Sequence, residues 1–403
     1  MPLRVGIVGC GTAGPAAAAM LACRGCSVTV FDKAPVLNPV GAGLLLQPSG
    51  LAVLAEMGLA DAVGRAGSIV RRMHATAPPA SSGRTILDLS YADLRPDLFG
   101  VGIRRGELLR LLLRTARDAG AVVRTGIEVA AIRDRATESE LVDVAGTSLG
   151  AFDLVLVCDG ARSSLVASLG TPARVRPYRW GALWFIGSRP VDESAPHHGV
   201  LEQVYLSTTG LIGSLPSGRL DDGNEAVSIF FSARTDRFES IRQGSLDDWR
   251  RSVAALHPRA GEIARQVGGP AQLLPAAYRE VVLPQWHRGR VAVLGDAGHA
   301  LSPLLGMGAN MSLVDARTLA QAVSAHGVYD GLAAYSSERG GSIRAYQRIC
   351  RWMNPFFQSD LPPLALARDV MMPRLCRWRW SRRQALLTVA GVKTGLLAAD
   401  PLP

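Results

Sequence analysis

The sequence predicts an α/β fold: a parallel-sheet domain that binds a dinucleotide, an inserted domain of mostly antiparallel strands, and a C-terminal helical tail. Three observations predict it. The opening Leu3–Gly14 stretch, an alanine-rich run and Ser27–Asp32 read as strand, helix and strand. A second apolar strand, Phe152–Cys158, runs into Asp159-Gly160, and a third, Arg290–Leu294, runs into Gly295-Asp296 and a glycine-rich turn. Strands that are apolar throughout and carry ligand-type residues at their carboxyl ends belong to buried parallel sheets beside a crevice.

In the first unit each glycine of Gly9-x-Gly11-x-x-Gly14 has a physical task. Gly9 allows the tight turn, Gly11 lets the backbone approach a pyrophosphate, and Gly14 lets helix and strand pack closely. The N–H groups at the helix start face phosphate with the positive end of the helix dipole. Asp32 closes the second strand where a carboxylate can accept hydrogen bonds from a ribose. A secretory leader is not expected, because glycines interrupt the apolar run and a strand follows it directly.

Asn38–Gly43 then precedes the apolar Leu44–Leu46 and a helix through Leu51 to Leu59, with glycines 41 and 43 suited to backbone passing close to a ligand. Between Ile69 and Phe99 short alternating runs with Pro78, Pro79, Gly83 and Pro96 fit hairpins of an inserted sheet. Arg104–Gly120 reads as an amphipathic helix ending in a C′ glycine. From Val175 to about Ala276 apolar and polar residues alternate between turns, with helices near 246–256 and 261–267. Trp180, Ala182, Trp184 and Ile186 share one strand face, as core or as the lining of an aromatic pocket. The predicted division is therefore 1–72, 101–172 and 277–345 for the cofactor domain, 73–100 and 173–276 for the second domain, and 346–403 for the tail.

Composition narrows the class. With 403 residues and 48% apolar content, two or three structural units with ample cores are expected. No run of 18 apolar residues occurs, which argues against a spanning helix. Six scattered cysteines, several in apolar segments, read as a reduced, cytoplasmic inventory. Cys23-x-x-Cys26 ends a helix instead of opening one, so no helix dipole activates it. The net charge of +10 comes almost wholly from arginine, Lys33 and Lys393 being the two lysines, which suits anionic ligands as well as a GC-rich genome. The arginines are dispersed and no recognition motif accompanies them, so no nucleic acid is expected as a partner. No Cys/His cluster has metal spacing, and Gly-x-Ser-x-Gly is missing, which sets aside metalloenzymes and serine hydrolases. The Arg/Trp-rich tail around Arg374–Arg383 is basic and amphipathic; capping the domains from outside is the commoner fate of such segments than lying on a membrane surface.

Gly9-x-Gly11-x-x-Gly14, Asp159-Gly160 and Gly295-Asp296, in this order, resemble the single-component FAD-dependent monooxygenases, the flavoprotein aromatic hydroxylases related to 4-hydroxybenzoate hydroxylase, over roughly residues 3–345. The tail is similar, more loosely, to that of ubiquinone-biosynthesis hydroxylases. The resemblance implies a glutathione-reductase-type Rossmann-like domain holding FAD, with NAD(P)H as a transient co-substrate. By it Gly9, Gly11 and Gly14 hold the pyrophosphate, Asp32 with Lys33 the adenosine ribose side, and Arg105 the pyrophosphate and ribityl chain. Asp159-Gly160 matches the motif shared by FAD and NAD(P)H, and Asp296 the one that contacts the ribityl hydroxyls. Pro303, Gly306, Met307, Gly308, Ala309 and Asn310 border the flavin ring. Val166 and Met307 stand where the family often has arginine and glutamine.

The implied reaction is hydroxylation of an aromatic or phenol-like small molecule with O2 through a flavin C4a-hydroperoxide. Few acid–base residues are then required, and no catalytic residue is assigned. Tyr205 and Trp184 are substrate-side candidates, and His299 reads as structural. A halogenase on the same fold would need an active-site lysine, and none lies between Lys33 and Lys393. A reductase or desaturase on the same fold, or a flavin-binding sensor without enzymatic activity, would carry the same three motifs. A monomer or homodimer is expected.

Overall fold

A computed structural model describes residues 1–37, 43–77, 83–135, 137–170, 172–195, 197–208 and 210–403. Asn38–Ala42, with the first of the two ligand-approach glycines, and Pro78 and Pro79 therefore lie outside the described residues. The first sheet has the order His287–Arg288, Val291–Val293, Leu154–Val157, Arg4–Val8, Ser27–Asp32, Val122–Thr125. Its neighbours are parallel except for the antiparallel edge strand His287–Arg288. Leu154–Val157 and Val291–Val293 are buried at every position, as strands covered on both faces must be. The helix Ala13–Ala22 is buried from Ala13 to Leu21, because its alanines let it lie close between the sheet and its neighbours. The helix Arg105–Asp118 turns Leu108, Leu111, Leu112 and Ala116 inward, and Gly120 just beyond it has φ +94°.

A second, seven-stranded sheet runs Leu274–Val282, Arg174–Arg189, Glu225–Arg234, Gly210–Arg219, Val200–Leu206, Arg72–Thr76, Thr85–Ser90. The pair Val200–Leu206 and Arg72–Thr76 is parallel and all other neighbours are antiparallel. One face packs Phe185, Ile212, Val227 and Ile229 against Trp249, Val253 and Ile263 of the helices Leu246–Leu256 and Pro258–Ala264. Alternation then sends Trp184, Tyr205 and Phe230 to the opposite face. A small sheet of Gly43–Leu46, Gly100–Arg104 and Ser68–Val70 joins the two, and the Gly43 N–H donates to Ser228 Oγ of the large sheet at 2.9 Å.

Four boundaries drawn from the sequence fall inside elements, 72/73 in the strand Arg72–Thr76 and 100/101 in the strand Gly100–Arg104 being the first two. The break at 276/277 cuts the strand Leu274–Val282, because the edge of the large sheet is also the path back to the first domain. The break at 345/346 cuts the helix Gly308–Phe357, which carries the chain from the first sheet to the tail, with a kink at Gly327 (φ 75°).

The tail helices Pro362–Arg377 and Arg379–Val389 pack on the rest of the molecule with one face each. Leu386 joins Leu45, Tyr91 and Leu215 in one apolar cluster. Beyond it the Ser49 N–H donates to the Ala390 carbonyl at 3.0 Å. Lys393 is 1% exposed and donates to Gln384 Oε1 and to the Leu396 carbonyl. Burial lowers its pKa from the ordinary lysine value.

Candidate active site

The sheet register places the three sequence motifs along one edge. Val8 lies opposite Phe31 and Val157, and Val157 opposite Val293, so Gly9, Asp32, Asp159 and Asp296 leave the sheet side by side. Gly9 has φ +105°, and a Cβ there would stand 2.4 Å from the Cys158 carbonyl oxygen. A Cβ on Gly14 would stand 2.0 Å from the Gly9 carbonyl oxygen, whereas one on Gly11 would meet nothing within 4 Å. Two glycines therefore serve packing, and the middle one leaves room beside the backbone.

The helix from Ala13 has no side-chain cap and no acid in its first turn, which leaves its N–H groups free for an anion. Asp32 accepts from the Cys10 N–H through Oδ2 (2.6 Å) and from the Ala34 N–H through Oδ1 (2.8 Å), tying the strand end to the glycine turn. Burial and the Asp32 charge push the Cys10 thiol up to about 12, so it is not a nucleophile.

Asp159 Oδ1 is shielded from solvent and has no hydrogen-bond partner among the described residues. Burial raises the Asp159 carboxyl above the usual carboxylate range, opposed in part by the nearby Ser163 hydroxyl and the local backbone, and more weakly by the charge of exposed Lys33. Gly160 has φ +88° with open space where a Cβ would be. Arg105 makes no hydrogen bond or ion pair with this group among the described residues. It opens the helix Arg105–Asp118, is exposed, and its charge is felt at the Tyr278 hydroxyl, beside a shallow cavity of about 410 Å³ lined by Arg104, Glu107 and Ile186.

A buried ionic cluster holds the last motif. Asp315 accepts from the Gly295 N–H (3.0 Å) and His299 Nε2 (2.5 Å) through Oδ2, and from Arg339 Nε (2.8 Å) through Oδ1. Burial alone would raise the Asp315 carboxyl, but His299 and Arg339 outweigh it and hold it well below the usual range. A Cβ on Gly295 would stand 2.8 Å from Ser312 Oγ and 3.2 Å from Ala13 Cβ, so the first turns of both central helices meet at this turn. Asp296 follows with its carboxylate half-exposed and beside Gly308, where the second helix opens without a side-chain cap or an acid in its first turn.

Asn310 is fully buried and its side chain is occupied internally. Nδ2 donates to the Leu45 and Gly306 carbonyls, each at 3.0 Å, and Oδ1 accepts from the Gln47 N–H at 2.8 Å. Asn310 thus ties the turn to the small sheet, and what it can offer a ligand is backbone. Pro303 opens a single 3₁₀ turn that ends at Gly306 (φ 62°), with Met307 buried behind it. Ala309 lies in the first helical turn.

An aromatic wall packs on Leu304 of this turn. Leu304 packs with Tyr205, Phe230, Met353, Phe357 and Met372 in one apolar cluster. The Trp184 and Phe230 rings lie 5.0 Å apart, those of Tyr205 and Phe357 4.9 Å apart, and Trp184 Nε1 donates to the Tyr278 hydroxyl at 3.1 Å. Burial raises the Tyr278 pKa, keeping that hydroxyl protonated. The Arg368 guanidinium lies over the Tyr205 and Phe357 rings and is committed to Asp369 and to the Ser207 and Phe356 carbonyls.

Gly9, Gly11, Gly14, Asp32, Asp159, Gly160 and Asp296 are thus gathered at one crevice, and Tyr205 and Trp184 lie in one wall. Sequence reasoning missed Asp315 and Arg339 of the ionic cluster, and Tyr278, Phe230, Leu304, Met353, Phe357 and Met372 of the wall. Asp315 stands 20 positions from the glycine whose N–H it accepts, and no short motif links them.

A family described as "FAD binding domain" matches residues 3–348. A 2-heptyl-3-hydroxy-4(1H)-quinolone synthase of Mycobacteroides abscessus is 31% identical over 348 residues, covering 81% of this chain and 83% of that one. A 6-hydroxynicotinate 3-monooxygenase of Pseudomonas fluorescens is 25% identical over 370 residues, covering 86% and 90%. The solved structure of Klebsiella pneumoniae HpxO complexed with FAD and uric acid superposes with a TM-score of 0.80 at 20% identity, over 96% of this chain and 97% of that one.

Proposed function

The chain belongs to the FAD-binding family of single-component aromatic monooxygenases, and from that premise we propose that it hydroxylates an electron-rich aromatic or heteroaromatic compound that carries no carboxylate. The observation behind this choice is the character of the wall against which Leu304 of the Pro303–Leu305 turn packs. It is made of Tyr205, Trp184, Phe230, Leu304, Phe357 and methionines. The one guanidinium stacked on it, Arg368, is ion-paired with Asp369 at 2.7 Å and donates through Nη1 to backbone carbonyls, although its buried Nη2 makes no hydrogen bond among the described residues. Among the described residues of the wall, then, the one cation is already paired with an acid, Arg105 acting on Tyr278 only from the exposed start of its helix, and burying an unpaired carboxylate costs several kcal/mol. The quinolone synthase relative is named for an uncharged heteroaromatic, which agrees with this reading.

The residues of the crevice fit FAD on their own chemistry. Gly11 leaves open backbone where a pyrophosphate needs close approach, and two uncapped helix N-termini meet beside it. Asp159 Oδ1 lacks a partner, and Asp296 has a carboxylate to offer a sugar hydroxyl. When bound and reduced by NAD(P)H, FAD supplies the activation of O2. The chain's part is to orient and to exclude water. The uncapped start of the helix at Gly308 would offer its positive end to negative charge on a flavin held at this turn. The Trp184–Tyr278 hydrogen bond fixes the wall, and Leu304, Met353 and Met372 keep the substrate side dry.

The test is a substrate panel assayed for NAD(P)H oxidation and for 18O in the product. A 2-alkyl-4-quinolone and neutral phenols should give labelled product with kcat/KM at least tenfold above 3-hydroxybenzoate and 6-hydroxynicotinate. Equal or better coupled turnover of the carboxylates would refute the reading.

A further inference from the structure

Almost half of the large apolar side chains exposed on the described molecule fall between Trp352 and Trp380. On the helix Pro362–Arg377, Leu366, Val370, Met371 and Leu375 fall within one half of the helical circumference and are 67%, 39%, 52% and 40% exposed. Trp378 and Trp380 continue the face at 60% and 49% exposure, their rings 5.4 Å apart. Contiguous apolar surface of this kind marks an interaction site.

Its charge is one-sided. Arg374, Arg377, Arg379 and Arg383 are exposed in and around it, and none has an acidic partner within ion-pair distance among the described residues. Asp369, the one acid between Leu361 and Ala399, is turned onto buried Arg368. Arg382 is already paired with Asp93.

We propose that this face is a docking surface for an anionic membrane, with the helix lying in the interface plane. Two tryptophans beside leucine, valine and methionine suit the boundary between headgroups and acyl chains, and unpaired arginines suit anionic headgroups. A second copy of the chain fits worse, because a two-fold pairing would set arginine against arginine with no acid on the patch to compensate. No helix among the described residues is long and apolar enough to cross a bilayer, so the contact is peripheral. The opposite face of the same helix holds Cys376 and Arg368 buried and sets Met372 on the aromatic wall, so the surface-facing side chains are free of the interior.

The experiment is flotation of the flavin-loaded protein with vesicles of phosphatidylcholine alone, or with about one-third phosphatidylglycerol. The anionic vesicles should carry the protein at least tenfold better, and raising NaCl to about 0.5 M should release it. Each of Arg374→Gln and Arg377→Gln should weaken binding roughly fivefold. Trp378→Ser with Trp380→Ser should abolish it while flavin absorbance is retained. Failure of the wild-type protein to float with anionic vesicles overturns the proposal, as does equal flotation with phosphatidylcholine alone. A dimer in light scattering that the tryptophan substitutions dissociate would assign the patch to a second copy instead.

Discussion

Adding a side chain at Gly11 or at Gly14 should have opposite consequences. At Gly14 a methyl group would meet the Gly9 carbonyl oxygen at 2.0 Å, and neither backbone can move without shifting the strand. Gly14→Ala is expected to destabilise the apoprotein by roughly 2–3 kcal/mol in urea unfolding. At Gly11 the space is open, so Gly11→Val should leave apoprotein stability within about 1 kcal/mol and weaken FAD at least tenfold in a flavin titration. Asp315 makes a second residue-scale prediction. His299 and Arg339 hold its folded pKa below the ordinary value near 4, so its stabilisation is complete above that pH and is lost as pH falls below it. Asp315→Asn strands two buried bases and should cost about 3–5 kcal/mol at pH 7. It should also flatten the acid limb of a stability-versus-pH curve below about pH 4, and an unchanged limb would show that other carboxylates govern it.

At the scale of elements, the C-terminal helix Arg379–Val389 is a working part of the cofactor domain. Leu386 packs on Leu45 and Tyr91, and Tyr91 donates to Gln47, whose N–H is held by Asn310. Gly391, at φ +86°, lies against Ser49 and Met307. The tail is thereby in contact with the turn that borders the expected flavin ring. Leu386→Ala should cost about 2–4 kcal/mol and lower the temperature at which flavin fluorescence appears on heating. Were unfolding affected without earlier flavin release, the helix would be a distant support only.

The whole molecule is organised around one crevice with different chemistry on its sides. The carboxyl edge of the parallel sheet brings backbone N–H groups, Asp32, Asp159 and Asp296, all suited to a phosphate and sugars. The large sheet and the tail bring an aromatic and aliphatic surface, with the Tyr278 hydroxyl bonded to Trp184 and the Arg368 guanidinium ion-paired with Asp369. The tail continues outward into the exposed Arg/Trp face, so one segment of about 30 residues serves interior and surface by its two sides.

The parallel sheet, the glycine turn and the strand-end acids are legible in the sequence because each depends on neighbours within a few residues. Apolar runs make buried strands, a short glycine spacing makes a turn, and an acid after a strand lies at its end. The same locality explains why Tyr205 and Trp184 stand out as substrate-side candidates while their partners do not. Phe357, Met372 and Leu304 reach Tyr205 only because the long helix returns the chain across the large sheet. The Asp315–His299–Arg339 cluster likewise depends on two turns of packing within and between helices. Asn310 has the sequence position of a ligand group, but tertiary contacts already occupy its amide. Sequence by itself determined the glycine-and-acid edge of the parallel sheet, since that edge is built from local backbone geometry. Tertiary structure alone decided the aromatic wall and the exposed tail face, since burial and ion pairing arise from contacts between distant segments.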